Sequence, residues 1–313
     1  MTPQAIEKVA VVGASGPVGL AIVQALCDAD FQVSVLTRSS STSNTSFPST
    51  VKVIPSDYTN DSLVRAFHSQ HAVVSVLNAA AASLQRTIVD AAIASGVRHF
   101  LPSEYGVDTS SEAAATVLPA LGSKLAVVKY LKSREDKIAW TALVTGCLFD
   151  WSFQHPPFGG WSLEGRKAIF YDGGDIPFEA TTLAQVGHGV VAVFRHQELV
   201  ANRYVYINSL TTTQNQVIES LEKAGSGKWA ITHTRTDETF QKGMELVQKG
   251  GAGRMLGIVN IITAAFYNYG RLNFYSTNVG LWNDRLNLPQ EDLDNVTAAI
   301  VEDARSSARS GRI

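Results

Sequence analysis

One stretch near the N-terminus constrains the fold of this chain more than any other. The apolar run Val9–Val12 leads into a turn that contains Gly13 and Gly16, and apolar residues at helical spacing follow from Val18. A buried strand that passes through glycines into a helix is typical of the first unit of a parallel α/β sheet. The stretch therefore predicts a βα unit whose turn is open to close approach by a ligand.

The same alternation of strand and helix continues downstream. The predicted strands are Val9–Val12, Gln32–Leu36, Val51–Ile54, Ala72–Leu77, His99–Leu101 and Ala139–Val144. The predicted helices between them are Val18–Cys27, Asp61–His68, Leu84–Ala94 and Leu121–Leu131. Strands that alternate with helices of this length indicate parallel βαβ units. We expect an α/β fold, a Rossmann doubly wound parallel sheet, over residues 1–148.

The second half of the chain is less regular and richer in aromatic residues and glycine. We expect residues 149–313 to form a smaller substrate-binding α/β cap, part of which returns to the sheet. Phe149, Trp151 and Phe153 open this region, and we predict that they bind an apolar substrate.

Composition excludes several classes of protein. The net charge of −2 over 313 residues gives no electrostatic basis for binding nucleic acid. The most apolar stretch, Gly257–Phe266, is shorter than the roughly 20 residues that cross a bilayer, so we expect no membrane span. The two cysteines form no disulfide framework, and the pair His68 and His71 lacks a third metal ligand. We expect a cytoplasmic protein without a metal site, as a monomer or homodimer.

The glycine turn predicts a dinucleotide site. Gly13 permits the tight turn, Gly16 lets a pyrophosphate approach the backbone, and Gly19 lets the helix pack closely on the sheet. The helix N-terminus then presents free N–H groups to the phosphates. The predicted contacts are Gly13, Ala14, Ser15, Gly16, Pro17, Val18 and Gly19.

The end of the second strand favours NADPH over NADH. An NAD site usually has Asp or Glu at this position, but residues 31–52 contain no carboxylate. Arg38 stands there instead and suits a 2′-phosphate. The further predicted cofactor contacts are Thr37, Ser39, Asp57, Tyr58, Leu77 and Asn78.

The residues that could perform catalysis lie after the fifth strand. None of the nine tyrosines has a lysine four residues downstream, so the Tyr-x-x-x-Lys pair of many dehydrogenases is absent. The chain has instead Pro102-Ser103-Glu104-Tyr105-Gly106, and then Lys124 at the start of a helix.

Taken together, these motifs resemble the NmrA-like, isoflavone-reductase-like family. This family of atypical short-chain dehydrogenases includes phenylcoumaran benzylic ether, pinoresinol–lariciresinol and isoflavone reductases. The similarity covers roughly residues 8–240, and the segment Gly146–Trp151 resembles the fungal members.

The resemblance implies an NADPH-dependent oxidoreductase that acts on a small conjugated or aromatic secondary metabolite. It implies that Lys124 lies beside the nicotinamide ribose and acts as general acid or base. Ser103 and Tyr105 are expected to contact the cofactor, and Tyr105 also the substrate. The chain departs from the family in the Ser/Thr-rich loop Ser39–Thr50 and at Thr145-Gly146-Cys147. The substrate itself therefore does not follow from the resemblance.

Two other functions remain open on the sequence. The chain could be a non-redox isomerase or rearrangement enzyme that retains NADP(H), or an NADP(H)-sensing regulator that signals to a protein partner. Lys124 and the aromatic-rich region disfavour the sensor.

Overall fold

The computed structural model describes residues 4–39, 45–77, 81, 83–110, 114, 122–267 and 269–309. The strands are β1 Lys8–Val12, β2 Gln32–Arg38, β3 Lys52–Ser56, β4 Ala72–Ser75, β5 His99–Leu101, β6 Ala139–Val144, β7 Cys147–Leu148, β8 Trp161–Ser162, β9 Lys167–Tyr171, β10 Phe178–Thr181, β11 Arg203–Tyr206, β12 Leu210–Thr212 and β13 Ala230–Thr234. Seven of them form one parallel sheet in the order β11-β6-β5-β4-β1-β2-β3. The predicted Rossmann-like α/β fold is confirmed.

Some helices cover both faces of this sheet, and others pack with the remaining strands. They are α1 Pro17–Asp28, α2 Asn60–Phe67, α3 Leu84–Ala94, α4 Gly122–Lys132, α5 Phe149–Gln154, α6 Leu183–Arg195, α7 Gln197–Val200, α8 Gln214–Lys223, α9 Thr236–Lys249, α10 Arg254–Phe266, α11 Tyr275–Asn278 and α12 Leu293–Arg309. One core lies under α1 and α6, and a second core on the opposite face lies under α2, α3 and α4. Strand β1 lies between β2 and β4, so the chain reverses its direction of strand addition there, and ligands bind at such a point in open α/β sheets.

The remaining strands build a second region around a third core. The sheets β12-β10-β7 and β13-β9-β8 have three strands each, and α8, α9, α10 and α12 pack with them. The first region also recruits later chain, since β11 pairs with β6 and α6 packs on α1. The boundary at residue 148 therefore does not separate two structural regions cleanly. It stays a prediction that residues 1–148 bind the cofactor and residues 149–313 bind the substrate.

Three predicted C-terminal strand ends differ from the structure: those of β2 and β4, and that of β3, which ends at Ser56 and not at Ile54. Strand β2 continues past Leu36 to Arg38, because Arg38 stays in register with Ser56 of β3. Strand β4 ends at Ser75, two residues before the predicted end at Leu77. No helix among the described residues is long and apolar enough to cross a membrane.

Candidate functional site

The three glycines of the turn between β1 and α1 differ in how closely other atoms surround them. Gly13 has φ +85°, and a Cβ there would lie 2.6 Å from the Val76 carbonyl oxygen. A Cβ on Gly19 would lie 2.6 Å from the Ala14 Cα, so the helix packs against the turn only with glycine at this position. At Gly16 the nearest atom to such a Cβ is 3.9 Å away. The backbone is therefore tightly packed at Gly13 and Gly19 but open at Gly16.

The N-terminus of α1 suits an anion. Gly16 is the N-cap residue, and no described side chain caps the helix or places an acid in its first turn. Pro17 occupies the first turn, where a proline costs nothing. Ser15 and Pro17 are exposed and Val18 is half-buried. Uncapped N–H groups and the helix dipole favour a phosphate at this position, so the turn fits a dinucleotide.

The carboxyl ends of β2 and β3 bring Arg38 and Tyr58 together. The Ser39 N–H donates to the Ser56 carbonyl oxygen (2.9 Å), which keeps this end of the sheet paired. Tyr58 has φ +63°, and its N–H donates to the Ser56 hydroxyl (3.0 Å). Burial raises the pKa of the Tyr58 phenol and the Arg38 charge opposes that rise, so the two side chains are within electrostatic reach.

Thr37 and Asp57 flank this pair in different ways. Thr37 is half-buried on β2. Asp57 accepts hydrogen bonds from the Thr59 N–H (3.0 Å) and hydroxyl (2.7 Å). These bonds direct its carboxylate into the turn that begins α2.

The ends of β4 and β5 are joined through Ser103. Its hydroxyl donates to the Leu77 carbonyl oxygen (2.7 Å), and its N–H donates to Gln85 Oε1 (3.0 Å). Leu77 and Ser103, both predicted cofactor contacts, therefore lie side by side. Asn78 lies outside the described residues.

Lys124 lies in the first turn of α4 and contacts the segment that follows β5. The half-buried Nζ donates a hydrogen bond to the Glu104 main-chain oxygen (3.1 Å). Burial lowers the pKa of the Lys124 ammonium, while the Glu104 carboxyl raises it. The structure thus brings Lys124 to the predicted segment, with a proton that is easier to release than that of a solvated lysine.

Glu104 is a residue of this site to which the sequence pattern assigned no role. Its side chain is only 1% exposed. The Thr109 hydroxyl donates to Oε2, and Oε1 has no partner among the described residues. Burial raises the pKa of this carboxyl, and Lys124 and Thr109 lower it. The signal in the sequence was a carboxylate inside Pro102–Gly106, directly after a buried strand.

Tyr105 points its phenol into the same buried region. The ring belongs to the core under α1 and α6, and its hydroxyl has no partner among the described atoms. Burial and then the Glu104 charge raise the pKa of Tyr105 well above its usual value. A tyrosinate is therefore disfavoured at this position.

The end of β6 is bonded to the same segment. The N–H groups of Thr145 and Gly146 both donate to the Gly106 carbonyl oxygen, at 3.1 and 2.9 Å. The buried Thr145 hydroxyl has no partner among the described residues. The ends of β4, β5 and β6 thus meet around Ser103–Gly106.

The structure corrects the prediction for two of the three aromatic residues of α5. Phe149 and Phe153 are 0% and 4% exposed, and the Phe153 ring stacks on Trp161 with centroids 4.6 Å apart. Residues four apart lie on one face of a helix, and this face packs into the third core. Trp151 lies on another face, where it stacks on His155 with centroids 4.5 Å apart. A substrate contact is carried forward for Trp151 and Tyr105 only.

Comparisons with known proteins agree with this architecture. Residues 6–265 match the model of the NmrA-like family. The chain is 35% identical over 303 residues to the oxidoreductase aprR of Aspergillus flavus, covering 94% of this chain and 99% of that protein. It is 23% identical over 262 residues to isoflavone reductase homolog P3 of Arabidopsis thaliana, covering 75% and 80%.

A solved structure shows the same fold at low sequence identity. The binary complex of leucoanthocyanidin reductase with NADPH from Vitis vinifera superposes with a TM-score of 0.72 at 16% identity, covering 94% of this chain and 99% of that chain. The chain belongs to the NmrA-like family, as the sequence motifs predicted.

Proposed function

We propose that this protein is an NADPH-dependent oxidoreductase acting on a small conjugated or aromatic metabolite, with Lys124 as general acid or base. The observation that carries the proposal is the half-buried Lys124 ammonium, held 3.1 Å from the Glu104 carbonyl oxygen at the carboxyl end of the sheet. The oxidoreductase name of the Aspergillus flavus relative and the NADPH in the Vitis vinifera complex support it.

The first region supplies the residues that would hold the cofactor. The open backbone at Gly16 and the uncapped start of α1 suit the pyrophosphate. Arg38 suits the 2′-phosphate because a guanidinium binds phosphate oxygens in pairs. Tyr58 lies beside Arg38 and offers a ring to the adenine. In this proposal residues 1–148 bind the cofactor and residues 149–313 bind the substrate.

The chemistry divides between cofactor and chain. When bound, NADPH supplies a hydride. Lys124 then gives a proton to a carbonyl or enolate oxygen of the substrate, or takes one from a hydroxyl in the reverse direction. Tyr105 is disfavoured as a base near neutral pH because its phenol pKa is raised, whereas the lowered pKa of Lys124 suits it to proton transfer.

Purified protein titrated with NADPH and NADH, followed by fluorescence, tests the cofactor. The same sample is then mixed with a panel of enones and phenolic metabolites while nicotinamide absorbance is recorded. Tight NADPH binding and consumption of that absorbance are expected. Substrate conversion with unchanged absorbance would contradict a reductase and identify a non-redox enzyme. Failure to bind either nucleotide would reject the dinucleotide site.

A further inference from the structure

We propose that Glu104 is a positioning residue for Lys124: its main-chain carbonyl holds the ammonium, and its buried carboxyl controls the charge that the ammonium carries. This inference rests on the function proposed above and adds a second residue to it. It assigns a role to a buried acid that the proposed proton transfer does not otherwise use.

The two halves of Glu104 act on Lys124 in separate ways. The main-chain oxygen accepts the hydrogen bond from Nζ at 3.1 Å, and this bond is available to both the charged and the neutral amine. It fixes the position of Nζ in either protonation state, although the bond is stronger to the charged amine. The side chain supplies a charge that interacts with the same ammonium.

The surroundings of the carboxyl make its ionised form depend on Lys124. Among the described residues only the Thr109 hydroxyl donates to it, and none donates to Oε1. A buried carboxylate with one hydrogen bond is poorly solvated and needs an opposite charge nearby. Lys124 is the cation that interacts with it. Ionisation of Glu104 and protonation of Lys124 therefore favour each other.

The other groups that face Glu104 do not replace Lys124. Asp108, which follows on the same segment, adds a like charge. Tyr105 beside it, and Tyr204 and Tyr206 on β11, carry phenols whose pKa values are raised, first by burial and further by nearby carboxyl charge that includes Glu104. These neighbours are acidic or neutral, so Lys124 is the positive charge that favours ionisation of the Glu104 carboxyl.

The variant Glu104→Gln tests the inference, because it replaces the carboxyl with an amide and leaves the main-chain carbonyl in place. In reduction by NADPH the protonated lysine is required, so activity falls above the pKa of Lys124. Glu104→Gln removes the charge that raises this pKa, and the alkaline limb of kcat/KM should move to lower pH by about one unit. A glutamate with only a packing role would lower activity at every pH and leave the limb where it is.

Thr109 provides a matched pair of second variants. Thr109→Val removes the hydroxyl that donates to the carboxylate, so the limb should move in the same direction by a smaller amount. Thr109→Ser keeps the hydroxyl, so the alkaline limb of its kcat/KM profile should lie at the same pH as in the unmodified protein. These variants preserve the test if Glu104→Gln does not fold. An unchanged limb in Glu104→Gln, or in Thr109→Val where the first does not fold, would overturn the proposal.

Competitive labelling with acetic anhydride reads the charge of Lys124 without any turnover. Acetylation of Lys124 is followed against pH by peptide mass spectrometry, with the exposed Lys137 of the same protein as reference. In Glu104→Gln the labelling curve of Lys124 should move to lower pH relative to Lys137. A moved curve in a protein that consumes no NADPH would support the Glu104–Lys124 coupling and reject the proposed function. A curve that stays in place would reject the coupling whatever the enzyme does.

Discussion

Each of the two regions of the molecule buries a glutamate, and their surroundings differ. Glu179 of β10 is 0% exposed, and its carboxylate accepts hydrogen bonds from the Asn208 amide (2.7 Å), the Thr211 hydroxyl (2.8 Å) and the Ser276 N–H (3.1 Å). Glu104 at the end of β5 is just as buried, but within the described part of the chain its carboxyl accepts a hydrogen bond from the Thr109 hydroxyl alone. A fully bonded buried acid holds structure together, whereas an incompletely bonded one stays responsive to a neighbouring charge.

The same contrast applies to their places in the fold. Glu179 joins β10, β12 and the segment that begins α11, far along the chain from one another. Glu104 lies where the ends of the parallel strands meet and where Lys124 reaches in. The carboxylate of Glu179 is held by three donors, while the edge of the large sheet keeps the Glu104, Tyr105 and Thr145 side chains incompletely bonded among the described residues.

The largest expected effect is the loss of Lys124. Lys124→Ala should lower turnover by about 10²–10⁴-fold, which is the usual contribution of a positioned general acid. NADPH affinity should change little, because the proposed phosphate site is at the glycine turn. Steady-state kinetics and NADPH titration measure the two quantities, with Lys137→Ala as control. Turnover that survived in Lys124→Ala would remove this residue from the mechanism.

Stability separates the two glutamates most directly. Glu179→Ala leaves the buried Asn208 amide, and the less buried Thr211 and Ser276 donors, without this acceptor and should lower the free energy of unfolding by about 2–3 kcal/mol. In Glu104→Gln the amide oxygen can still accept the hydrogen bond from Thr109. The free energy of unfolding should therefore change by less than about 1 kcal/mol. Urea unfolding of both variants at pH 7 checks this. Equal losses would show that Glu104 is as structural as Glu179.

His99 is a buried titratable residue of the large sheet whose Nε2, unlike Glu104 Oε1, has a hydrogen-bond partner among the described residues. His99 of β5 is 1% exposed, and its Nε2 lies 2.8 Å from the Thr141 hydroxyl, which itself donates to the Val200 carbonyl oxygen. Because the Thr141 hydroxyl donates to Val200, Nε2 is the donor to Thr141. Burial lowers the pKa of His99 to about 4.

The pH dependence that His99 gives to the free energy of unfolding follows from where the folded and unfolded states take up its proton. The unfolded histidine binds a proton below about pH 6.5, while the folded one does so only near 4. Stability should therefore fall as pH falls through this window, by up to about 3 kcal/mol. His99→Phe keeps a ring against Phe194 and should flatten that part of the curve. Urea midpoints between pH 4 and 7 give the comparison, and identical slopes would contradict it.

The smallest expected effect concerns cofactor choice. Arg38→Ala removes the guanidinium at the end of β2 and should weaken NADPH by about 10- to 100-fold, as expected for charged hydrogen bonds. NADH lacks the 2′-phosphate and should bind almost as before. Fluorescence titration of both nucleotides, with Arg65→Ala on α2 as control, checks this. Equal weakening of NADPH and NADH would mean that Arg38 does not read the 2′-phosphate.

Local patterns were sufficient for much of the fold and for part of the candidate site. His99–Leu101, Ala139–Val144 and Leu84–Ala94 have the predicted bounds, since each is a short periodic segment between clear breaks. The tight packing at Gly13 and Gly19 also follows from local spacing. Strand ends were less predictable because pairing with a neighbouring strand sets them, as Ser56 does for Arg38.

The sequence by itself determined the alternation of strands and helices, the glycine turn and the position of Lys124 at a helix start, since these depend on residues close together in the chain. Only the tertiary structure decided which side chains are sealed from water. Phe149 and Phe153 are enclosed by Trp161 from a later strand. Glu104 became a buried partner of Lys124 because α4 lies against the end of β5. Burial sets the free energy of a charge or a ring, and it is a property of neighbours distant in sequence.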